Sequence, residues 1–269
     1  MTLAFDRTGR GSPLVLLHPL GADRRVWDPV VGLLADQREV IAVDLPGFGE
    51  SPPLGNRVPT PRALATAVAE FLAELGVSRP HVAGNSLGGW VALELGLSGA
   101  VASVTGIAPA GLWPEPLVPK ASIAHRLARA TLPLLAPMLR TGTGRRLLLS
   151  GAVAFPRRVP PEAAIHLVRA YGLATDFVPV NDAMRSGRFE GLERIRCPVT
   201  FVWPDHDRLI RRPVWVPDRI QNVVLSDSGH IPTWDAPEAL ARTLLEATAG
   251  TAGGPRSHSP AAELAGDQH

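Results

Sequence analysis

Short apolar runs alternate with longer stretches of helical period along most of this chain, and that alternation limits the fold more than any single motif. The runs fall at Leu14 to His18, Val40 to Asp44, His81 to Asn85, Val101 to Ile107, Val199 to Trp203 and Asn222 to Leu225. Residues apolar at successive positions suit strands covered on both faces, so the runs predict a mostly parallel sheet. Helical periodicity between them, at Val26 to Ala35, Pro61 to Leu75, Leu87 to Leu97 and Pro237 to Ala247, supplies the covering layers of an α/β fold. Thr60 followed by Pro61 reads as an N-cap with proline in the first helical turn. Thr2 to Phe5, with the turn Gly9-Arg10-Gly11, predicts an added antiparallel edge strand.

The alternation stops at Leu112 and resumes near Glu190. This interval is rich in Pro and Arg, with helical pieces at Ala121 to Ala130 and Pro161 to Ala170 and breaks expected at Pro133, Pro137 and Pro156. It reads as a helical lid (112–190) inserted into a core formed by 1–111 and 191–248. Residues 249–269, rich in Gly, Ser, Ala and Pro without periodicity, read as a disordered tail.

Composition removes several classes of function. With 27 Lys and Arg against 25 Asp and Glu, the chain lacks the basic excess of a dedicated nucleic-acid binder. The balance is uneven, since the lid holds 11 basic and 5 acidic residues, making it a basic cover on an acidic core. The simplest account of that sign is a solvated helical face; the alternative is a cover that steers anionic substrates toward Ser86. Cys197 is the single cysteine, so no internal disulfide can form and a reducing, cytoplasmic setting is expected. Apolar stretches such as Leu132 to Leu139 fall far short of the roughly 20 residues that span a bilayer, so no transmembrane segment is expected. That stretch would line an acyl pocket, dock on a membrane surface or, as the simplest use, pack the lid on the core. The run Pro13 to Leu17 is too short for a signal peptide.

The sharpest motif is Gly84-Asn85-Ser86-Leu87-Gly88, a G-x-S-x-G between a strand run and a helix run. That spacing fits a tight strand-to-helix turn in which small flanking residues expose a strained serine. A nucleophilic Ser86 needs a base and an orienting carboxylate. His230 in Ser228-Gly229-His230-Ile231-Pro232 and Asp207 in Pro204-Asp205-His206-Asp207 follow later strands, in the order Ser, Asp, His. Asp205 is the competing acid. Of the eight histidines, His258 and His269 fall in the tail, His125 and His166 read as surface or packing residues of the lid, and neither His81 nor His206 has a loop setting as suited to catalysis as that of His230. The backbone N–H of Leu87 and that of Leu20, since Pro19 has none, are the expected oxyanion donors. Trp27, Trp90, Trp113 and Trp203 near strand ends read as packing. No metal or organic cofactor is called for.

These landmarks, with His18-Pro19-Leu20-Gly21, Asp44-Leu45-Pro46-Gly47-Phe48-Gly49-Glu50-Ser51 and Pro237-Glu238, resemble the α/β-hydrolase superfamily over Leu3 to Thr248. The resemblance implies a helical lid after the sixth core strand, a triad of Ser86, Asp207 and His230, and oxyanion donors at Leu20 and Leu87. It departs from the family pattern at Pro19, where glycine is usual, and at Pro204. A serine at the elbow argues against the dehalogenases and epoxide hydrolases of this fold, which attack with aspartate. Local likeness to enol-lactone hydrolases and to carbon-carbon bond hydrolases is also present. The resulting expectation is hydrolysis of a carboxylic ester, thioester or lactone of a small acyl substrate, anionic or hydrophobic. Cleavage of a dienoic diketone by the same residues is the alternative, and a ligand receptor or cofactor-independent lyase the alternative from another class.

Overall fold

A computed structural model describes residues 1–118 and 123–249. Seven strands, β1 (Phe5–Gly9), β2 (Ser12–Leu17), β3 (Arg38–Val43), β4 (His81–Asn85), β5 (Ser103–Ile107), β6 (Val199–Pro204) and β7 (Gln221–Leu225), form one sheet ordered β1-β3-β2-β4-β5-β6-β7. All neighbours are parallel except β1, which runs antiparallel to β3. The edge strand thus lies a few residues later than Thr2 to Phe5. It also skips its sequence neighbour β2, whose two sides are already taken by β3 and β4.

Helices α1 (Asp28–Leu34), α2 (Pro61–Glu74), α3 (Leu87–Ser98) and α8 (Pro237–Ala249) cover the sheet. Two buried clusters lie on its two faces: one packs Val15, Leu17, Ile41, Val43 and Phe201 under α2 and α3, the other packs Leu14, Leu16, Val40 and Val202 under α1 and α8. Opposite faces of β2 feed opposite clusters, as period-two geometry requires. Thr60 caps α2 by accepting the Ala63 N–H at 3.1 Å, with Pro61 opening the helix.

Between β5 and β6 the chain forms α4 (Ile123–Leu139), α5 (Gly142–Leu149), α6 (Pro161–Leu173) and α7 (Phe177–Arg185). The insertion follows β5, which is the sixth strand in the family count, where the strand leading into His18 is the third. Pro133 and Pro137 do not break α4, contrary to the reading of the sequence. Both lie on its exposed side, where carbonyls left without an intrahelical partner can bond to water. The start of the helix expected from Ala121 and the tail from Gly250 onward lie outside the described residues.

Candidate active site

Ser86 stands at the junction of β4 and α3 with φ 55° and ψ −112°, a conformation disfavoured for a residue with a Cβ. Backbone bonds over-determine it: Ser86 N–H donates to the Ile107 carbonyl at 2.9 Å, and the Ser86 carbonyl accepts from Ala110 at 3.0 Å and Trp90 at 3.1 Å. The motif glycines are needed for close approach. A Cβ on Gly84 would overlap the Gly88 carbonyl, and one on Gly88 would overlap the Leu17 carbonyl of β2.

Asp207 and His230 meet at the carboxyl ends of β6 and β7. Their Oδ2 and Nδ1 atoms lie 2.8 Å apart, and both side chains are almost fully buried. The other Asp207 oxygen accepts the N–H groups of Leu209 at 2.7 Å and Ile210 at 3.0 Å. Burial alone would push the Asp207 carboxyl up, but the bond from His230 and these amides outweigh it and hold the group below the ordinary carboxylate range. With an ionised Asp207, Nδ1 carries the proton and Nε2 presents its lone pair. Among the described residues, neither Nε2 nor the Ser86 hydroxyl has a hydrogen-bond partner, and neither is sealed from solvent. Asp205 is spent elsewhere: its two oxygens accept the Asp227 and Ser228 N–H groups, each at 3.1 Å, fixing the turn after β7.

Several supports had only weak signals in the sequence. Asn85 donates through Nδ2 to the carbonyls of Ile107 and His230, each at 3.0 Å, tying the elbow to the histidine loop. Asp235 accepts the N–H groups of Gly229, Ala154 and Phe155, each at 2.8 Å, and so joins that loop to the lid. Ile231 N–H adds a bond to the Ala152 carbonyl at 2.8 Å.

The loop after β2 is braced from beneath. Leu45 N–H can only donate, so His18 Nε2 accepts it at 2.9 Å and Nδ1–H donates to the Pro19 carbonyl at 2.9 Å. Burial pushes the His18 imidazole below its ordinary value, which favours this neutral form. Among the described residues the N–H groups of Leu20 and Leu87 have no hydrogen-bond acceptor. Leu87 N–H opens α3, where amides and helix dipole favour an anion. Next to Leu20, Gly21 adopts φ +77° and lies directly under Tyr171 and Phe177 of the lid, so lid and loop touch.

The remaining histidines divide by setting. His81 bonds to Ser103 at 2.8 Å, and His206 lies edge-on to Phe155. His125 is buried and stacks on Phe177 at 4.3 Å. His166 is more than a surface residue: its Nε2 meets Asp23 Oδ2 at 2.6 Å, bridging α6 to the loop after β2. Burial acts to raise the Asp23 carboxyl, yet the His166 contact holds it below the ordinary range. The pair borders a charged cleft of about 670 Å³ between lid and core, also lined by Arg24, Glu50 and Arg169. Trp27 and Trp203 are buried in packing roles, and Trp90 packs edge-on against Trp113.

The Alpha/beta hydrolase family model matches residues 14–243. The chain belongs to this family. It is similar to the pimeloyl-[acyl-carrier protein] methyl ester esterase of Aeromonas hydrophila, 44% identical over 98 residues, covering 36% of this chain and 37% of that one. It is also similar to epoxide hydrolase EphH of Mycobacterium tuberculosis, 60% identical over 50 residues, 19% of this chain and 23% of that one. The aligned stretches span well under half of either relative. Among solved structures, the thermophilic esterase from Thermogutta terrifontis shares the fold with a TM-score of 0.70 at 24% identity, covering 91% of this alpha/beta hydrolase and 92% of that chain. No helix among the described residues is long and apolar enough to cross a membrane, and no group of three ligating side chains among them is placed to hold a metal ion.

Proposed function

We propose that this alpha/beta hydrolase cleaves a carboxylic ester, thioester or lactone through an acyl-enzyme on Ser86. The observation that carries the reading is the 2.8 Å contact between Asp207 Oδ2 and His230 Nδ1, which leaves Nε2 free to act as a base beside the serine loop. The serine itself supports acyl transfer over epoxide opening, which in this fold begins with an aspartate nucleophile.

In the first step Ser86 Oγ bonds to the carbonyl carbon while its proton passes to His230 Nε2. The carbonyl oxygen takes the negative charge and accepts the N–H groups of Leu20 and Leu87. Collapse of this adduct breaks the bond to the leaving group, which takes the proton from His230. Water then gives its proton to the same nitrogen, attacks the acyl carbon and releases the acid, restoring the serine. Asp207 holds the imidazole and stabilises its cationic form without itself being protonated.

A fluorophosphonate probe followed by peptide mapping tests the reading. Modification of Ser86 in native protein, and its absence together with loss of aryl-ester turnover in Ser86→Ala, are the expected results. Aryl-ester hydrolysis at the native rate in Ser86→Ala would overturn it.

A further inference from the structure

The lid carries a surface that the acyl chemistry does not use. On α4, Ile123, Leu127, Ala130, Leu134 and Met138 recur at helical spacing along the side facing solvent, with Leu127 61% and Leu134 69% exposed. Isolated exposed apolar side chains are ordinary, but a stripe running the length of a helix is not. The stripe does not arise from a lid that failed to pack: the opposite side of α4 turns His125 and Leu139 inward, both buried, and His125 stacks on Phe177. The segment Leu132 to Leu139 therefore does not simply seal lid to core.

Charge flanks the stripe with one sign. Arg126 and Arg129 on α4, and Arg140 just past its end, are exposed, and none pairs with a described carboxylate. Between Glu115 and Glu162 the sequence holds seven arginines and Lys120 and no acidic residue. The adjoining helix α5 repeats the pattern, with Leu147 70% exposed beside Arg146. Arg146, Arg157, Arg158 and Arg208 line a cleft of about 690 Å³ whose walls include no carboxylate.

We propose that the outward face of α4 seats the lid on an anionic phospholipid surface. Ile123, Leu127, Leu134 and Met138 enter the boundary between headgroups and acyl chains, while Arg126, Arg129 and Arg140 pair with lipid phosphates. A free phosphate satisfies the guanidinium groups but leaves the apolar stripe in water. A second copy meeting this face across a two-fold axis buries the stripe but sets the two basic lids against each other. A bilayer carrying anionic lipids meets both needs. The docking is peripheral and independent of the acyl reaction, so a failure of either proposal leaves the other standing.

Flotation of the full chain with unilamellar vesicles tests this. Vesicles of phosphatidylcholine with roughly one quarter phosphatidylglycerol should bind the protein at least about tenfold more tightly than pure phosphatidylcholine, and about 0.5 M salt should weaken the binding. Leu127→Asp with Leu134→Asp should abolish flotation while thermal melting and far-ultraviolet circular dichroism stay unchanged. Arg126→Gln with Arg129→Gln, at exposed positions, should weaken it by a similar factor to added salt. The proposal is overturned if the wild-type chain does not float, or if either double variant floats as well as wild type. It is also overturned if light scattering shows a dimer that the leucine variants dissociate, or if inorganic phosphate binds while the vesicles do not.

Discussion

The Asp235 carboxylate accepts the N–H of Gly229 at 2.8 Å, so the residue that leads the chain into His230 is held from further along its own loop. The same carboxylate accepts Ala154 and Phe155 from the lid, and a Cβ on Gly229 would stand 2.6 Å from the Ala154 nitrogen. Lid and histidine loop therefore share one anchor. Asp235→Ala leaves three backbone donors without their acceptor and should destabilise the fold by about 3 kcal/mol, read from urea denaturation. Asparagine, keeping one acceptor oxygen, should recover part of the loss. A change under about 0.5 kcal/mol for the alanine variant would show that water replaces the carboxylate at no cost.

The geometry separates two aspartates that stand close in sequence. Asp207→Asn should lower kcat on an aryl ester by about 10³ to 10⁴, because an amide neither balances the imidazolium nor fixes the tautomer. Asp205→Asn should leave kcat within about tenfold, since Asp205 serves the turn at Asp227 and Ser228 and does not reach His230. Steady-state kinetics on the two variants decide it, and the reverse ranking would assign the acid to Asp205.

Acid stability follows from Asp207 and Asp23, whose folded carboxyls both lie below the ordinary value of 3.8. A depressed carboxyl binds a proton more readily in the unfolded chain, so its stabilising contribution is complete above that ordinary value. It disappears as pH falls through the lower folded value. Melting temperature should therefore drop steeply below about pH 4, with a shallower drop in Asp207→Asn. Parallel curves for the two proteins would remove Asp207 as a source of the pH dependence.

Gly21 is one point at which the lid meets the loop that carries Leu20. With φ +77° and an added Cβ only 2.7 Å from Tyr171 Cδ2, Gly21→Ala should cost about 1–3 kcal/mol in stability. It should also lower kcat more than it raises KM, because a displaced Leu20 N–H acts on the transition state and not on the bound ester. Restoration of kcat by a second change, Tyr171→Ala, would trace the effect to the steric contact; a variant that lost only KM would contradict it.

Much of this molecule is legible in one dimension. The parallel strands follow from unbroken apolar runs, because a strand covered on both faces has no polar side to show. The elbow is legible because Gly84 and Gly88 approach backbone from β2 and α3 too closely for any side chain. The lid is legible only as a place where the alternation ends. Proline reads as a helix breaker, yet α4 runs through Pro133 and Pro137, both of which lie on its exposed side, where carbonyls left without an intrahelical partner can bond to water.

The sequence by itself determined the α/β layering, the strained serine turn, the order of Ser86, Asp207 and His230, and the excess of arginine in the lid. Those depend on period, residue type and neighbours within a few positions. Only the tertiary structure decided that Asp207 and not Asp205 faces His230, that Asp235 anchors both loop and lid, and that His166 bridges to Asp23. Hydrogen bonds act over about 3 Å and depend on direction, so partners far apart along the chain are chosen by how the strand ends and lid helices come together. The same packing decided which side of α4 is covered and which is left to water.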